Sequence, residues 1–162
     1  MNDDDSIPAD RLPEKLAPRY CELQAVIRRH GPMVVAYSGG VDSAFLAVAA
    51  RQALGDDMVC VIAVSPSLAK SEYDGAIAFL EQHDIPFERI HTREMDDERY
   101  RANSPERCYY CKDELFSVIE AARSLDRFEK VAYGANLDDT GDHRPGQRAA
   151  AERDVVAPLV EA

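Results

Sequence analysis

The apolar positions fall into two kinds of stretch that alternate along the chain. Met33–Tyr37 and Val59–Val64 are unbroken apolar runs, as expected of strands covered on both faces of a parallel sheet. Elsewhere apolar residues recur every three or four positions, the period of a helix with one buried face. Tyr20, Leu23 and Ile27 form such a stripe in a segment that Pro18 opens and Gly31-Pro32 close. Ala44–Ala50 follow the first strand, and Ala76, Ile77, Phe79 and Leu80 mark a further helix, with Ser71 as its expected cap. Phe87–His91 reads as a short third strand. A helix is expected over 105–124 with Ser104 as N-cap and Pro105 at its first position, then a fourth strand over Val131–Gly134, and a fifth from near Val155. This order predicts an α/β fold, a mainly parallel sheet of about five strands with helices on both faces. In such sheets ligands bind beyond the carboxyl ends of the strands. The loops after Tyr37, Val64, His91 and Gly134 are therefore expected to share one mouth. Residues 1–14 are polar and hold Pro8 and Pro13, which predicts a mobile leader before a domain spanning 15–162.

Composition narrows the partners. The chain has 162 residues, 46% hydrophobic and 30% charged, enough for one domain with its own core. Its net charge of −11 argues against gripping a long polyanion, so no nucleic acid is expected, although a local basic pocket for a small anion is compatible with it. The longest apolar run is too short for a membrane span, and Met1-Asn2-Asp3-Asp4-Asp5 is acidic where a signal peptide would be basic. Four unevenly spaced cysteines do not form a secreted disulfide framework. A cytoplasmic protein is the expectation. Cys60 lies inside a strand and reads as core, Cys21 as an ordinary thiol, and His91 as a solvated side chain rather than a nucleotide contact.

The stretch between the first strand and the next helix, Ser38-Gly39-Gly40-Val41-Asp42-Ser43, changes the picture most. Glycines let the backbone approach an anion, and a helix start turns free N–H groups and a positive partial charge towards it. Ser38 and Ser43 add hydroxyls, and Asp42 can hold Mg²⁺ between phosphates. The stretch is neither the Walker loop, which ends in Gly-Lys-Ser/Thr, nor the Rossmann Gly-x-Gly-x-x-Gly. A tight βα turn that binds nothing is the plain alternative. The stretch resembles the signature of the PP-loop ATP pyrophosphatase superfamily, whose members cleave ATP between the α and β phosphates, usually to adenylate an oxygen that then leaves.

Arg107-Cys108-Tyr109-Tyr110-Cys111-Lys112 is the second candidate. On a helix Cys108 and Cys111 share a face that Lys112 joins, and Lys112, Arg107 or a helix start would favour a thiolate. A structural zinc ion would need two more ligands, which neither Cys21 nor Cys60 offers as a pair. A redox dithiol of the thioredoxin kind sits at a helix start after a strand, and an iron–sulfur site would lack a third cysteine. Two unligated helix cysteines are the remaining reading.

A third segment, Gly134-Ala135-Asn136-x-Asp138-Asp139-x-x-Asp142-x-Arg144-Pro145-Gly146 followed by Ala149-Ala150 and Glu152, completes a set. With the glycine stretch, Val64-Ser65-Pro66-Ser67 and Asn103-Ser104-Pro105-x-Arg107-Cys108-Tyr109-x-Cys111-Lys112, it resembles the LarE family. These are ATP-dependent sulfur transferases that build the nickel-pincer cofactor of lactate racemase. The resemblance runs from Pro32 to Ala162 and implies a HUP-type, adenine nucleotide α-hydrolase-like fold. It implies that Mg-ATP adenylates a carboxylate of pyridinium-3,5-biscarboxylic acid mononucleotide, pyrophosphate leaves, and sulfur replaces the adenylate. The sulfur comes from a sacrificial cysteine in some members and from a [4Fe–4S] cluster on three cysteines in others; the Cys108/Cys111 pair favours the second type. The resemblance places Ser38, Gly39, Gly40, Val41, Asp42, Ser43 and Gly134 on ATP and pyrophosphate, with Asp42 and Lys112 in catalysis. Asp42 and Asp139 would hold Mg²⁺. Arg144 would hold a substrate phosphate, with a salt bridge to Asp142 or Asp138 as the plain alternative. In the family a second, smaller domain follows, which is absent before Ala162; a partner chain supplying it, or a fragment, is expected, together with a homo-oligomer. The competing readings are an amide-forming ligase like the NAD or GMP synthetases and a non-catalytic nucleotide-binding subunit.

Overall fold

The computed structural model describes residues 12–65, 69–93, 96, 98–102, 106–122, 125–135 and 145–162. Four strands, β1 (Met33–Tyr37), β2 (Met58–Val64), β3 (Phe87–His91) and β4 (Lys130–Tyr133), form one sheet in the order β3-β2-β1-β4. Every pairing is parallel. The unbroken apolar runs divide by alternation. Met33, Val35, Tyr37, Met58, Cys60 and Ile62 enter one core, closed by α1 (Ala17–His30), α2 (Val41–Leu54) and α3 (Lys70–Gln82). Val34, Ala36, Val59 and Val61 enter the other, closed by α5 (Arg107–Ala121) and α6 (Pro145–Glu152). Two short α-helices, α4 (Glu98–Arg101) and α7 (Pro158–Glu161), and a 3-10 turn over Gly55–Asp57 complete the described elements. Because successive strand side chains point to opposite faces, each apolar run serves both cores.

The strand order also fixes where a crevice must open. From β1 the chain moves outward through β2 to β3, then returns to lay β4 on the other side of β1. The connections after β1 and before β4 thus lie on opposite faces. This is the switch point of an open parallel sheet.

The structure corrects several expectations. The fifth strand is reduced to a single parallel bridge between Ala132 and Val156. Val156 donates its N–H to Val131 O and accepts from Tyr133 N–H, but Pro158 starts α7 and has no N–H to extend a ladder. Ser71 is not a cap: α3 starts at Lys70 with Ala69 at the N-cap and no side-chain cap bond. The long helix runs Arg107–Ala121, shorter than 105–124, and its expected cap residues Ser104 and Pro105 lie outside the described residues. Most of the expected leader, 1–11, does too, while Leu12 packs against the first core. The α1 stripe of Tyr20, Leu23 and Ile27 is buried as expected, and Gly31 ends the helix at φ +74°. Cys60 is fully buried, and burial pushes its thiol pKa up. No helix among the described residues is long and apolar enough to cross a membrane.

Candidate nucleotide site

The glycine loop between β1 and α2 is fixed from three directions. Gly39 takes φ +79°, a region that side-chain-bearing residues rarely adopt. The same residue must also be small, because a Cβ there would lie 3.1 Å from Ala76 Cβ on α3. Tyr37 strengthens this contact by donating its hydroxyl to Ala76 O at 3.3 Å. Within the loop the buried Ser43 hydroxyl donates to Gly40 O at 2.9 Å and accepts from Ser38 N–H at 3.3 Å. Ser38 Oγ lies 3.1 Å from Ser43 Oγ and accepts from Gly40 N–H at 3.4 Å. The two serines therefore shape the loop as much as they line it, a role that their type alone did not announce. The first bond of the α2 ladder runs from Ala44 N–H to Gly40 O at 2.9 Å. The amides of the first turn consequently precede the ladder, and Asp42 sits among them.

Gly134 closes the loop from the far side. A Cβ on it would lie 2.5 Å from Ser43 N and 2.8 Å from both Asp42 C and Ser43 Cα. The end of β4 therefore rests directly on the first turn of α2, across the switch point.

A cavity of about 370 Å³ opens at this junction. Ser38, Ser65, Thr92 and Gly134, each the residue that follows one of the four strands, all line it. The loops after Tyr37, Val64 and His91 share this mouth with Gly134 as expected, while residues 136–144, which continue the fourth loop, lie outside the described residues. The opposite wall is α5, which brings Cys108, Cys111 and Lys112 to the same cavity. Lys112 Nζ lies 4.9 Å from the centroid of the Tyr133 ring, a cation–π distance, and Phe116 braces that ring edge-on at 6.1 Å. Arg107 is engaged elsewhere: it donates to Tyr100 OH at 2.7 Å and stacks over that ring at 4.5 Å. Gly39 and Gly40 line a second cleft, of about 570 Å³, between the loop and α3.

Ser38, Ser43, Gly134, Cys108, Cys111 and Lys112 are thus gathered round one space, with Asp42 half-buried beside it. Val41 is 81% exposed on the outer side of the loop. Asp139 and Arg144 lie outside the described residues. His91 is exposed, and the next residue, Thr92, is buried and lines the cavity instead; strand alternation carried one residue further identifies it. The same count along β4 identifies Tyr133, which lines the cavity as well. Among the described residues no group of three or more His, Cys, Asp or Glu side chains could hold a metal ion.

The cysteines give a direct check on this arrangement. Cys21, Cys108 and Cys111 are exposed and Cys60 is buried. A thiol reagent should label the first three in the native protein and Cys60 only after denaturation, by mass spectrometry of the modified peptides. Prior labelling at Cys60 would contradict the packing of β2.

The NAD synthase family profile matches residues 23–116. The chain is 41% identical over 128 residues to an uncharacterized protein of Synechocystis sp., covering 79% of this chain and 48% of that protein. It is 28% identical over 148 residues to the pyridinium-3,5-bisthiocarboxylic acid mononucleotide synthase of Lactiplantibacillus plantarum, covering 91% and 54%. The chain spans about half the length of the curated relatives it matches. Its fold is also that of the NH3-dependent NAD synthetase from Campylobacter jejuni, with a TM-score of 0.60 over 78% of this chain and 58% of that one at 16% identity. At that identity the likeness speaks for the fold alone. The glycine loop, the parallel sheet and a profile covering more than half of the residues agree: the chain belongs to the NAD synthase family, within the PP-loop superfamily.

Proposed function

We propose that the chain binds Mg-ATP across the glycine loop and adenylates a carboxylate of pyridinium-3,5-biscarboxylic acid mononucleotide, ahead of sulfur insertion. The observation that carries this reading is the meeting of Ser38, Ser43 and Gly134 with Cys108, Cys111 and Lys112 round one cavity. The name of the Lactiplantibacillus plantarum relative supports the choice of acceptor. A carboxylate oxygen is a poor leaving group and AMP a good one, so activation precedes sulfur attack. One carboxylate oxygen bonds to the α-phosphorus, the bond from that phosphorus to the α–β bridging oxygen breaks, and pyrophosphate departs with the electron pair. The acyl adenylate is then open to a sulfur nucleophile that expels AMP.

Each group of the site has a place in that sequence. First-turn amides of α2 and the Ser38 hydroxyl would hold phosphate oxygens where charge develops. Lys112 would neutralise the α-phosphate or the incoming carboxylate. Asp42, a hard oxygen donor beside the loop, suits Mg²⁺, which when bound neutralises charge on the departing pyrophosphate. A [4Fe–4S] cluster would need thiolates beyond Cys108 and Cys111, and none joins them among the described residues; the proposed chemistry does not depend on it. Since the chain spans about half of its relatives, we assign to residues 15–162 the activation step and to a second domain or partner chain the delivery of sulfur.

Pyrophosphate release tests the reading. Mg-ATP with the biscarboxylated pyridinium nucleotide should release pyrophosphate, simple carboxylates should not, and Asp42→Ala should lower the rate by about 10²-fold. Family membership favours one rival, an amide-forming ligase. Release that requires ammonia and yields an amide would establish the rival. Failure to bind ATP at all would sink both.

A further inference from the structure

The Lys112 side chain reaches the cavity along a path that a single residue of another helix leaves open. A Cβ on Gly146, in the first turn of α6, would lie 2.6 Å from Lys112 Cδ and 2.7 Å from Cε. The third nearest atom, Cys108 O, would lie at 3.6 Å, an ordinary contact. The methylene stem of Lys112 therefore lies on bare α6 backbone, and beyond it the ammonium stands over Tyr133. Gly146 itself is buried and its φ is outside the positive range, so nothing in its backbone conformation calls for glycine. An alanine there would also suit a helix better. The requirement comes from the lysine.

We propose that Gly146 is a positioning residue: by omitting a side chain it seats the Lys112 stem in a groove between α5 and α6 and aims the ammonium into the nucleotide cavity. The clash that alanine would create falls on the flexible stem, so the stem must leave while the helices stay. A long cationic side chain has many rotamers, and holding it in one reduces the ordering required when an anion binds. This proposal rests on the reading of Lys112 as the cation of the nucleotide site.

The two claims separate experimentally. With the full chain and the non-hydrolysable probe α,β-methylene-ATP plus Mg²⁺, Lys112→Ala should weaken binding by about 10- to 30-fold, the loss of one charge-assisted contact. Gly146→Ala should weaken binding by about 10-fold while its melting temperature stays level or rises. The double variant should bind no worse than Lys112→Ala, since both changes remove the same ammonium. A readout independent of ligand is the ¹³C-labelled lysine spectrum. The Lys112 Cε signal, identified by its disappearance in Lys112→Arg, should be displaced by the Tyr133 ring and should move towards the exposed lysines in Gly146→Ala. Parent-like binding and an unmoved signal in Gly146→Ala, with Lys112→Ala still weak, would overturn the positioning role and leave the Lys112 reading standing. A lowered melting temperature with the signal unmoved would overturn it as well. If Lys112→Ala binds like the parent, the reading of Lys112 has failed and the role of Gly146 falls with it.

Discussion

Phe116→Ala should lower the unfolding free energy by about 4 kcal/mol, within the range for deleting a buried phenyl ring. Phe116 is 1% exposed in the second core and stands edge-on to Tyr133, so alanine leaves an apolar void that neighbouring helices cannot readily fill. At roughly 2–4 °C per kcal/mol for a domain of this size, the melting temperature should fall by about 8–16 °C. The ring also lines the cavity proposed to hold nucleotide. Its loss should release Tyr133, and with it the surface under the Lys112 ammonium, so nucleotide affinity should fall even where the variant is fully folded. Urea unfolding at unchanged m, followed by binding at low temperature, measures the two effects separately. A stability loss below about 1 kcal/mol would mean that α5 is not packed as described.

Gly134→Ala is the second large effect, and its cause differs. Here the extra methyl meets the backbone of Asp42 and Ser43, which no rotamer change can relieve. The strand end or the first turn of α2 must move, at a cost of about 3 kcal/mol, the upper range for overpacking. The displaced turn is the one that carries the proposed phosphate-binding amides, so nucleotide binding should be lost together with stability. Gly75→Ala is the matched control. It adds the same methyl inside α3, where nothing lies within 4 Å, and should stabilise by up to about 1 kcal/mol through helix propensity. Opposite signs for one chemical change would show that contact, rather than glycine as such, is what matters at Gly134.

Much of the fold was legible because the two periods differ so plainly. Runs such as Val59–Val64 need cover on both faces, and stripes such as Tyr20, Leu23 and Ile27 need it on one. Parallel order and a shared mouth then followed from topology. What was not legible was set by residues distant in sequence or by local hydrogen bonds that several residue types can make. Val155-Val156 looked like a strand because its pairing depends on how soon Pro158 intervenes. Ser71 looked like a cap because helix starts are decided within one residue by backbone angles. His91 is exposed, as its reading as a solvated side chain predicts, but Thr92, to which alternation hands the cavity, carries no motif that announces it. The loop serines were read as ligand donors, yet much of their capacity is spent inside the loop. Lys112 could be placed on a face with Cys108 from spacing alone, but its tie to Tyr133 and its room beside Gly146 require three separate elements to be assembled.

The contact between Gly39 and Ala76 has one more consequence. The loop and α3 meet through two of the smallest side groups available, and Tyr37 bonds to the same alanine. Freedom to vary at position 76 is thereby surrendered to a turn that lies far earlier in the chain. A valine or leucine at that point would push on the glycine-loop backbone across the cleft that both line. Residue choice in the second crossover helix is thus part of the inheritance of the site, although no motif drawn round the glycines would include it.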